Sequence, residues 1–222
     1  MDLYEALYTT RAMRRVEPDP IPDEVVALMM DAAIRAPSGG NAQNWRWLFV
    51  TDPDLRAALA VLYREAWEEL TTTLYAGRLE RAEAAGDETT VRILRSSQWL
   101  ADHFAEVPLV VLPYHRNDPS GASIYPAVWN LMLAARGQGV GCTLTTILGM
   151  FRHDEVAELL GVPTDRGWTN AAAVTCGYPR GRWGVAARAP AHEVAFADRW
   201  GEPPPWRVDR PLWPDRIPEP RP

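Results

Sequence analysis

The chain holds few of the residues from which covalent scaffolds, metal centres or hydrolytic sites are built. Only two cysteines occur, Cys142 and Cys176. They are too few for a disulfide framework and their spacing fits no zinc motif, so both are expected reduced and packed. The four histidines, His103, His115, His153 and His192, are scattered without ligand spacing, and no metal is expected. Walker loops, G-x-S-x-G elbows and H-E-x-x-H helices are all missing. No uninterrupted apolar run is long enough to span a bilayer, and no basic segment leads into an apolar one at the start. A cytoplasmic location with no membrane partner is the resulting expectation. Positive charge is also short: 23 Lys+Arg face 29 Asp+Glu, for a net charge of −6. That balance excludes a general nucleic-acid or anionic-membrane binder, which needs a basic footprint.

What remains is a chain of 222 residues, 47% apolar and 23% charged, as in soluble globular proteins with a substantial core. Ten tryptophans point to flat aromatic contact surfaces or an intersubunit seam. Periodicity predicts a helix from Asp2 to about Met13 and another from Ile21-Pro22-Asp23-Glu24 to Pro37. A strand is expected over Trp45 to Val50 and a helix from Pro53, with Leu55, Leu59 and Leu62 in register. From about Glu65 to Ala105 the chain is polar, alanine-rich and helix-prone, interrupted at Gly86-Asp87, and reads as an excursion or lid. Strands follow at Pro108–Pro113, Gly141–Thr146 and Asn170–Cys176, with helices at Tyr125–Arg136 and Asp154–Leu160. Two domains are expected: residues 1–201, and a proline-rich arm over 202–222. That arm carries Trp206 and Trp213, and reads either as a disordered end or as a strap on a neighbouring surface.

Two stretches concentrate hydrogen-bonding capacity. Ala36-Pro37-Ser38-Gly39-Gly40-Asn41-Ala42-Gln43-Asn44-Trp45 places a hydroxyl and three amides on a permissive backbone. It reads either as an ordinary helix-to-strand turn or as a grip for a planar, hydrogen-bond-rich ligand. Arg11-Ala12-Met13-Arg14-Arg15 puts three arginines at an expected helix end. They are either solvated there, favoured by the helix dipole, or fork onto a phosphate. Gly137-Gln-Gly139-Val-Gly141 is not a dinucleotide fingerprint, because its spacing is wrong and it follows a helix rather than a strand.

Taken in order, these stretches resemble the FMN-dependent nitroreductase superfamily. The arginine run is similar to its R-S-V-R-x element, and residues 36–45 to its A-P-S-x-x-N-x-Q-P-W loop. Gly139-Val-Gly141-Cys-Thr143-Leu144-Thr145-Thr146 resembles its G-L-G-x-x-x-T region, and Gly177-Tyr178-Pro179 with Arg188-Ala-Pro190 its ending. The resemblance implies an α+β three-layer sandwich, a mainly antiparallel sheet flanked by helices, in an intertwined homodimer with FMN at the interface. Residues carried over as cofactor contacts are Arg11, Ala12, Met13, Arg14 and Arg15 on the phosphate side, and Arg188 from the C-terminal side. Pro37, Ser38, Asn41 and Gln43 would reach the flavin of the partner subunit. Leu144, Thr145 and Thr146 would lie by the pyrimidine edge and N5.

Two departures from the pattern are Ala12, where a serine is usual, and Asn44, where a proline is usual. The implied activity is electron transfer from NAD(P)H to nitroaromatic, quinone or similar acceptors, and the alternative is a flavin-sequestering protein with little turnover. Because a flavin carries the redox chemistry, no catalytic side chain is expected. Trp67, Tyr75 and Trp99 of the helical excursion are candidates to stack on acceptors, with core packing as the competing account of each.

Overall fold

The computed structural model describes residues 1–215 and 217; residues 216 and 218–222 of the expected arm lie outside the described residues. Contacts divide the chain into two units, Ala12–Arg182 and Met1–Arg11 with Trp183–Pro222.

The larger unit is built on five strands: β1 (Trp45–Val50), β2 (Leu109–His115), β3 (Gly141–Thr145), β4 (Thr169–Asn170) and β5 (Ala173–Gly177). Their order is β1-β2-β5-β3, with β4 also paired to β2, and every pairing is antiparallel. Period-two alternation splits each strand between two cores. Val110, Leu112 and Tyr114 of β2 join Leu48 and Val50 of β1 on one face. Leu109 and Val111 join Trp45, Trp47 and Phe49 on the other. The central strand β2 is buried along nearly its whole length, which explains why its sequence reads as a continuous apolar run.

Helices cover both faces, so the unit is an α+β three-layer sandwich. One layer holds α2 (Asp23–Ala33) and α6 (Ile124–Gly137). Met29 and Ala33 pack there with Val128 and Leu131. The α6 amino end is capped by Asp118, whose Oδ2 accepts from the Ser123 and Ile124 backbone N–H groups. The opposite layer holds α3 (Pro53–Thr72), α4 (Arg78–Ala84), α5 (Glu88–Asp102), α7 (Ile147–Phe151) and α8 (His153–Leu160). Asp52 caps α3 and Asp87 caps α5, each accepting backbone N–H groups of the first turn. The expected break at Gly86-Asp87 thus separates α4 from α5, and α3–α5 form the helical excursion.

Three expectations are revised. The first helix, α1, spans Leu3–Thr9 and stops at Thr10, whose backbone is extended, so the arginines do not sit at a helix end. The second helix ends at Ala33 rather than running to Pro37. The strand expected over Asn170–Cys176 is two strands, because Ala171 turns its N–H to Pro113 O and Asn170 Nδ2 bonds Ala172 O between them. The short α7 has no periodic signature of its own and follows directly from β3.

The smaller unit contains α1, capped by Asp2 through the Glu5 N–H. Among the described residues its C-terminal part has one short 3-10 turn, Ala191–Glu193, and is otherwise irregular. His192 Nδ1 meets Val208 at its backbone, Phe196 and Trp200 have ring centroids 4.9 Å apart, and Trp213 lies 6.2 Å from Tyr8. Of the two tryptophans of the expected arm, Trp213 is in ring contact with Tyr8 within this unit, whereas Trp206 is exposed. No described helix is long and apolar enough to cross a membrane.

Candidate functional site

Three of the sequence signals converge on one corner of the sheet. The Met13 N–H donates to Cys142 O at 3.0 Å, and the Glu17 N–H donates to Tyr178 O at 2.8 Å. Val16 bridges Pro179, and the Arg180 N–H donates to Arg15 O. The arginine-bearing segment is therefore an extended strap across the ends of β3 and β5. Two glycines let it lie so close. A Cβ on Gly141 would fall 2.7 Å from Met13 Cβ, and one on Gly177 would fall 2.7 Å from Val16 Cβ. Residue 141 of the glycine-rich turn and residue 177 of the Gly-Tyr-Pro stretch are thus tied physically to the arginines.

Extended backbone sends successive side chains to opposite sides. Met13 is buried, Arg14 is half-buried and Arg15 is exposed. Arg14 lines a cavity of about 250 Å³ together with Thr143, Leu144, Thr145 and Thr146 of β3 and its following turn. Arg15 turns away: its guanidinium lies 5.6 Å from the Trp99 ring centroid, and it lines a separate open groove with Arg92 and Arg95. Trp99 itself stacks on His103 at 4.1 Å and does not line the cavity. Trp67 and Tyr75 do line it. Trp67 is also buried in the core, with its Nε1 donating to Gln98 Oε1, so core packing accounts for its position.

The cavity is chemically unfinished. Burial pushes the Arg14 pKa down, partly opposed by Tyr63, and among the described residues no carboxylate sits at ion-pair distance from it. A desolvated cation without an anion is costly, and a bound anionic or acceptor-rich group would offset that cost. Thr143 Oγ1 is buried on the same wall with no hydrogen-bond partner among the described residues. Tyr63, buried and stacked on Phe104 at 4.4 Å, donates through its hydroxyl to Thr145 Oγ1 at 3.4 Å. Its pKa is raised, first by burial, with the Thr145 bond and the Arg14 charge acting against it. Because Thr145 accepts there, its own hydroxyl proton is left to donate elsewhere. This donor set of guanidinium and hydroxyls suits a phosphate or the oxygen- and nitrogen-rich edge of a flavin. Sequence reasoning did not find Tyr63: in α3 it shares helical spacing with Leu59, Ala66 and Leu70 and reads as core.

The loop at 36–45 lies elsewhere. Its backbone is left-handed at Gly40, Asn41 and Gln43, with φ values of 56°, 54° and 48°. Asn tolerates that region, whereas Gln43 is held in it by its surroundings. The Gln43 N–H donates to Ser38 Oγ, Gln43 Nε2 donates to Asn41 Oδ1, and the Gly39 N–H donates to Ser123 Oγ at the start of α6. Pro37, Asn41 and Gln43 are exposed, and Ser38 is half-buried. The loop leads into β1, at one edge of the sheet order, whereas Thr145 ends β3 at the other. Three interstrand steps, about 14 Å, separate them laterally. One chain therefore brings Arg14, Leu144, Thr145 and Thr146 together and keeps Ser38, Asn41 and Gln43 apart from them. Arg11 and Arg188 belong to the smaller unit; Arg188 is exposed, with its Nη1 on Ala187 O, and Ala12 is exposed at the start of the larger unit.

Cys142 and Cys176 are free and buried, directly opposite each other in β3 and β5, with their sulfur atoms 3.3 Å apart. They pack as expected and face the α2–α6 core rather than the cavity.

The chain is 30% identical over 172 residues to protein DrgA of a Synechocystis species, a match covering 74% of this chain and 79% of that protein. It is 29% identical over 206 residues to an NADH dehydrogenase of Thermus thermophilus, covering 88% and 96%. Among solved structures, iodotyrosine deiodinase bound to FMN and 3-iodo-L-tyrosine superposes with a TM-score of 0.68 at 25% identity, covering 84% of this chain and 95% of that one. The family model for the nitroreductase family matches residues 7–178, the span that holds the strap, the loop and the threonines and ends within the Gly-Tyr-Pro turn, and the chain belongs to that family.

Proposed function

We propose that the protein is an FMN-dependent oxidoreductase that passes electrons from NAD(P)H to nitroaromatic, quinone or similar acceptors, acting as an intertwined homodimer. The observation that carries this reading is the desolvated, carboxylate-free Arg14 beside Thr145 and the orphaned Thr143 hydroxyl. FMN, when bound, supplies the two-electron chemistry, so the protein need supply no acid–base or nucleophilic constellation. Arg14, with Arg11, Ala12, Met13, Arg15 and Arg188 carried over by resemblance, would hold its phosphate side. Thr145 and Thr146, with Leu144, would face its hydrogen-bonding edge, where fixed donors stabilise negative charge that develops on reduction. FMN in a similar solved structure and NADH in the name of a relative support the choice of cofactor and donor.

The site's incompleteness supports the dimer. A cavity of about 250 Å³ falls below the roughly 300–1,000 Å³ usual for ligand pockets. Pro37, Ser38, Asn41 and Gln43 stand too far along the sheet to complete it in the same chain, and would complete the partner's. The layer that carries this loop exposes Leu28 of α2 and Tyr125 and Trp129 of α6, apolar surface suited to an interface. Within this scheme residues 1–201 form the FMN-binding domain and 202–222 an arm. A second reading, flavin sequestration with little turnover, is favoured by the cover that Trp67, Tyr75, Ile93 and Leu94 of the helical excursion place over the cavity.

The decisive measurement is an absorption spectrum of the pure protein, followed by anaerobic reduction with NADH and NADPH and steady-state turnover with a nitroaromatic. Protein that stays colourless after incubation with FMN would refute the proposal. Bound flavin without turnover would select the second reading.

A further inference from the structure

Arg14 is not the sole cation on the cavity. Arg78 opens α4 and is exposed at the rim, with its guanidinium 4.4 Å from the Tyr75 ring centroid. Neighbouring arginines are committed: Arg95 to Glu83, Arg152 to Glu65 and Glu69, and Arg81 to Ala76 O. Arg78 has no carboxylate at ion-pair distance among the described residues. Asp87, the cap of α5, feels its charge only as a minor, longer-range influence behind its own hydrogen bonds to Thr90. Tyr75 holds the guanidinium by cation–π contact while leaving its N–H fork open.

The walls between this rim and β3 are Trp67, Leu70, Tyr75, Ile93 and Leu94. They are apolar and aromatic, and the hydroxyls of Thr90 and Ser97 interrupt them. A flat aromatic body fits such walls, and an acidic substituent on it would meet Arg78 rather than water.

We infer that Arg78 is a specificity-determining residue that selects aromatic acceptors bearing a carboxylate over neutral ones of the same size. The inference rests on the proposed function for the entry of acceptors into this cavity, and it assigns Arg78 to the acceptor while Arg14 serves the cofactor. A forked guanidinium–carboxylate contact is directional, so lysine at this position would recover only part of the preference.

The test uses FMN-loaded protein, 4-nitrobenzoate and its neutral counterpart 4-nitrobenzamide. The ratio of kcat/KM for the anion to that for the amide should fall at least about tenfold in Arg78→Gln, the loss of one charged hydrogen bond. It should fall less in Arg78→Lys. Calorimetric binding of 4-nitrobenzoate in the absence of nicotinamide should weaken by the same factor, with FMN content unchanged. An unaltered ratio, or equal loss with both acceptors, would overturn the assignment while leaving the activity intact. Anion binding that depends on Arg78 in a protein that turns over neither acceptor would uphold the site and remove the oxidoreductase reading. Loss of FMN in Arg78→Gln would instead place Arg78 on the cofactor and overturn the inference.

Discussion

Met13 lies so close over Gly141 that a methyl on the glycine would fall 2.7 Å from the methionine Cβ. Gly177 stands in the same relation to Val16. Neither glycine has a positive φ, so neither is there for backbone freedom. Both are there for clearance, and what they clear is the strap that delivers Arg14. The obstructing atoms are Cβ carbons next to the backbone, which cannot swing aside.

Gly141→Ala and Gly177→Ala should therefore each lower stability by about 1–3 kcal/mol, the usual cost of overpacking. Each should also reduce FMN retention, because relief of the clash moves the strap. Chemical denaturation followed by tryptophan fluorescence, with flavin occupancy measured in parallel, checks both effects. Stability loss with full occupancy would show that the strap does not carry the cofactor site.

Arg14→Ala should behave in the opposite sense. It removes a desolvated guanidinium that has no carboxylate partner among the described residues. Apoprotein stability should hold or rise slightly, while FMN affinity falls by about 10- to 100-fold, as expected for a charge-assisted contact. Quenching of FMN fluorescence on binding gives the affinity directly. An Arg14→Ala protein that binds FMN as tightly as the parent would move the phosphate to other residues.

The loop makes a third case. Asn41 sits at φ 54°, so alanine there would combine loss of the amide with backbone strain of about 1–2 kcal/mol. Asn41→Gly separates the two, since glycine accepts that conformation. Asn41→Gly and Ser38→Ala are expected to leave the thermal midpoint within a few degrees and to lower FMN occupancy and dimer content together. Sedimentation velocity with detection at the flavin band reads both quantities at once. Dimer without flavin loss, or flavin without dimer, would separate the loop from the cofactor of the partner subunit.

Much of this architecture was legible in the residues. Trp45–Val50 and the apolar run at Leu109–Leu112 were recognisable as strands because period and continuity follow from burial on one or two faces. Gly86-Asp87 marked the α4–α5 break because aspartate caps and glycine turns. The arginine strap reads in sequence as a helix end, because an isolated extended segment has no local signature and its partners, Cys142 and Tyr178, are over 120 residues away. Tyr63 and Arg78, and the unpaired state of the Thr143 hydroxyl, are invisible in sequence for the same reason. Each is ordinary in its own element and becomes part of a site only when β3, α3 and α4 meet.

Tyr114 offers a test of the core that is independent of any ligand. It lies in β2 beside Asn170 of β4, is only 2% exposed, and its hydroxyl has no hydrogen-bond partner among the described residues. Burial alone pushes its pKa up to about 12, against about 10 for an unfolded tyrosine. The sign follows from proton linkage: below pH 10 the phenol is neutral in both states and its contribution is fully present. Between the unfolded and folded pKa values only the unfolded chain ionises, so stability is lost as pH rises through that window. Two pKa units correspond to roughly 2–3 kcal/mol. Tyr114→Phe should flatten this alkaline loss and, by removing an unsatisfied buried hydroxyl, raise stability at neutral pH by about 1 kcal/mol. Denaturation midpoints between pH 9 and 12, with phenolate absorbance followed alongside, measure both. Equal alkaline loss in the parent and in Tyr114→Phe would mean that the hydroxyl reaches solvent or a partner.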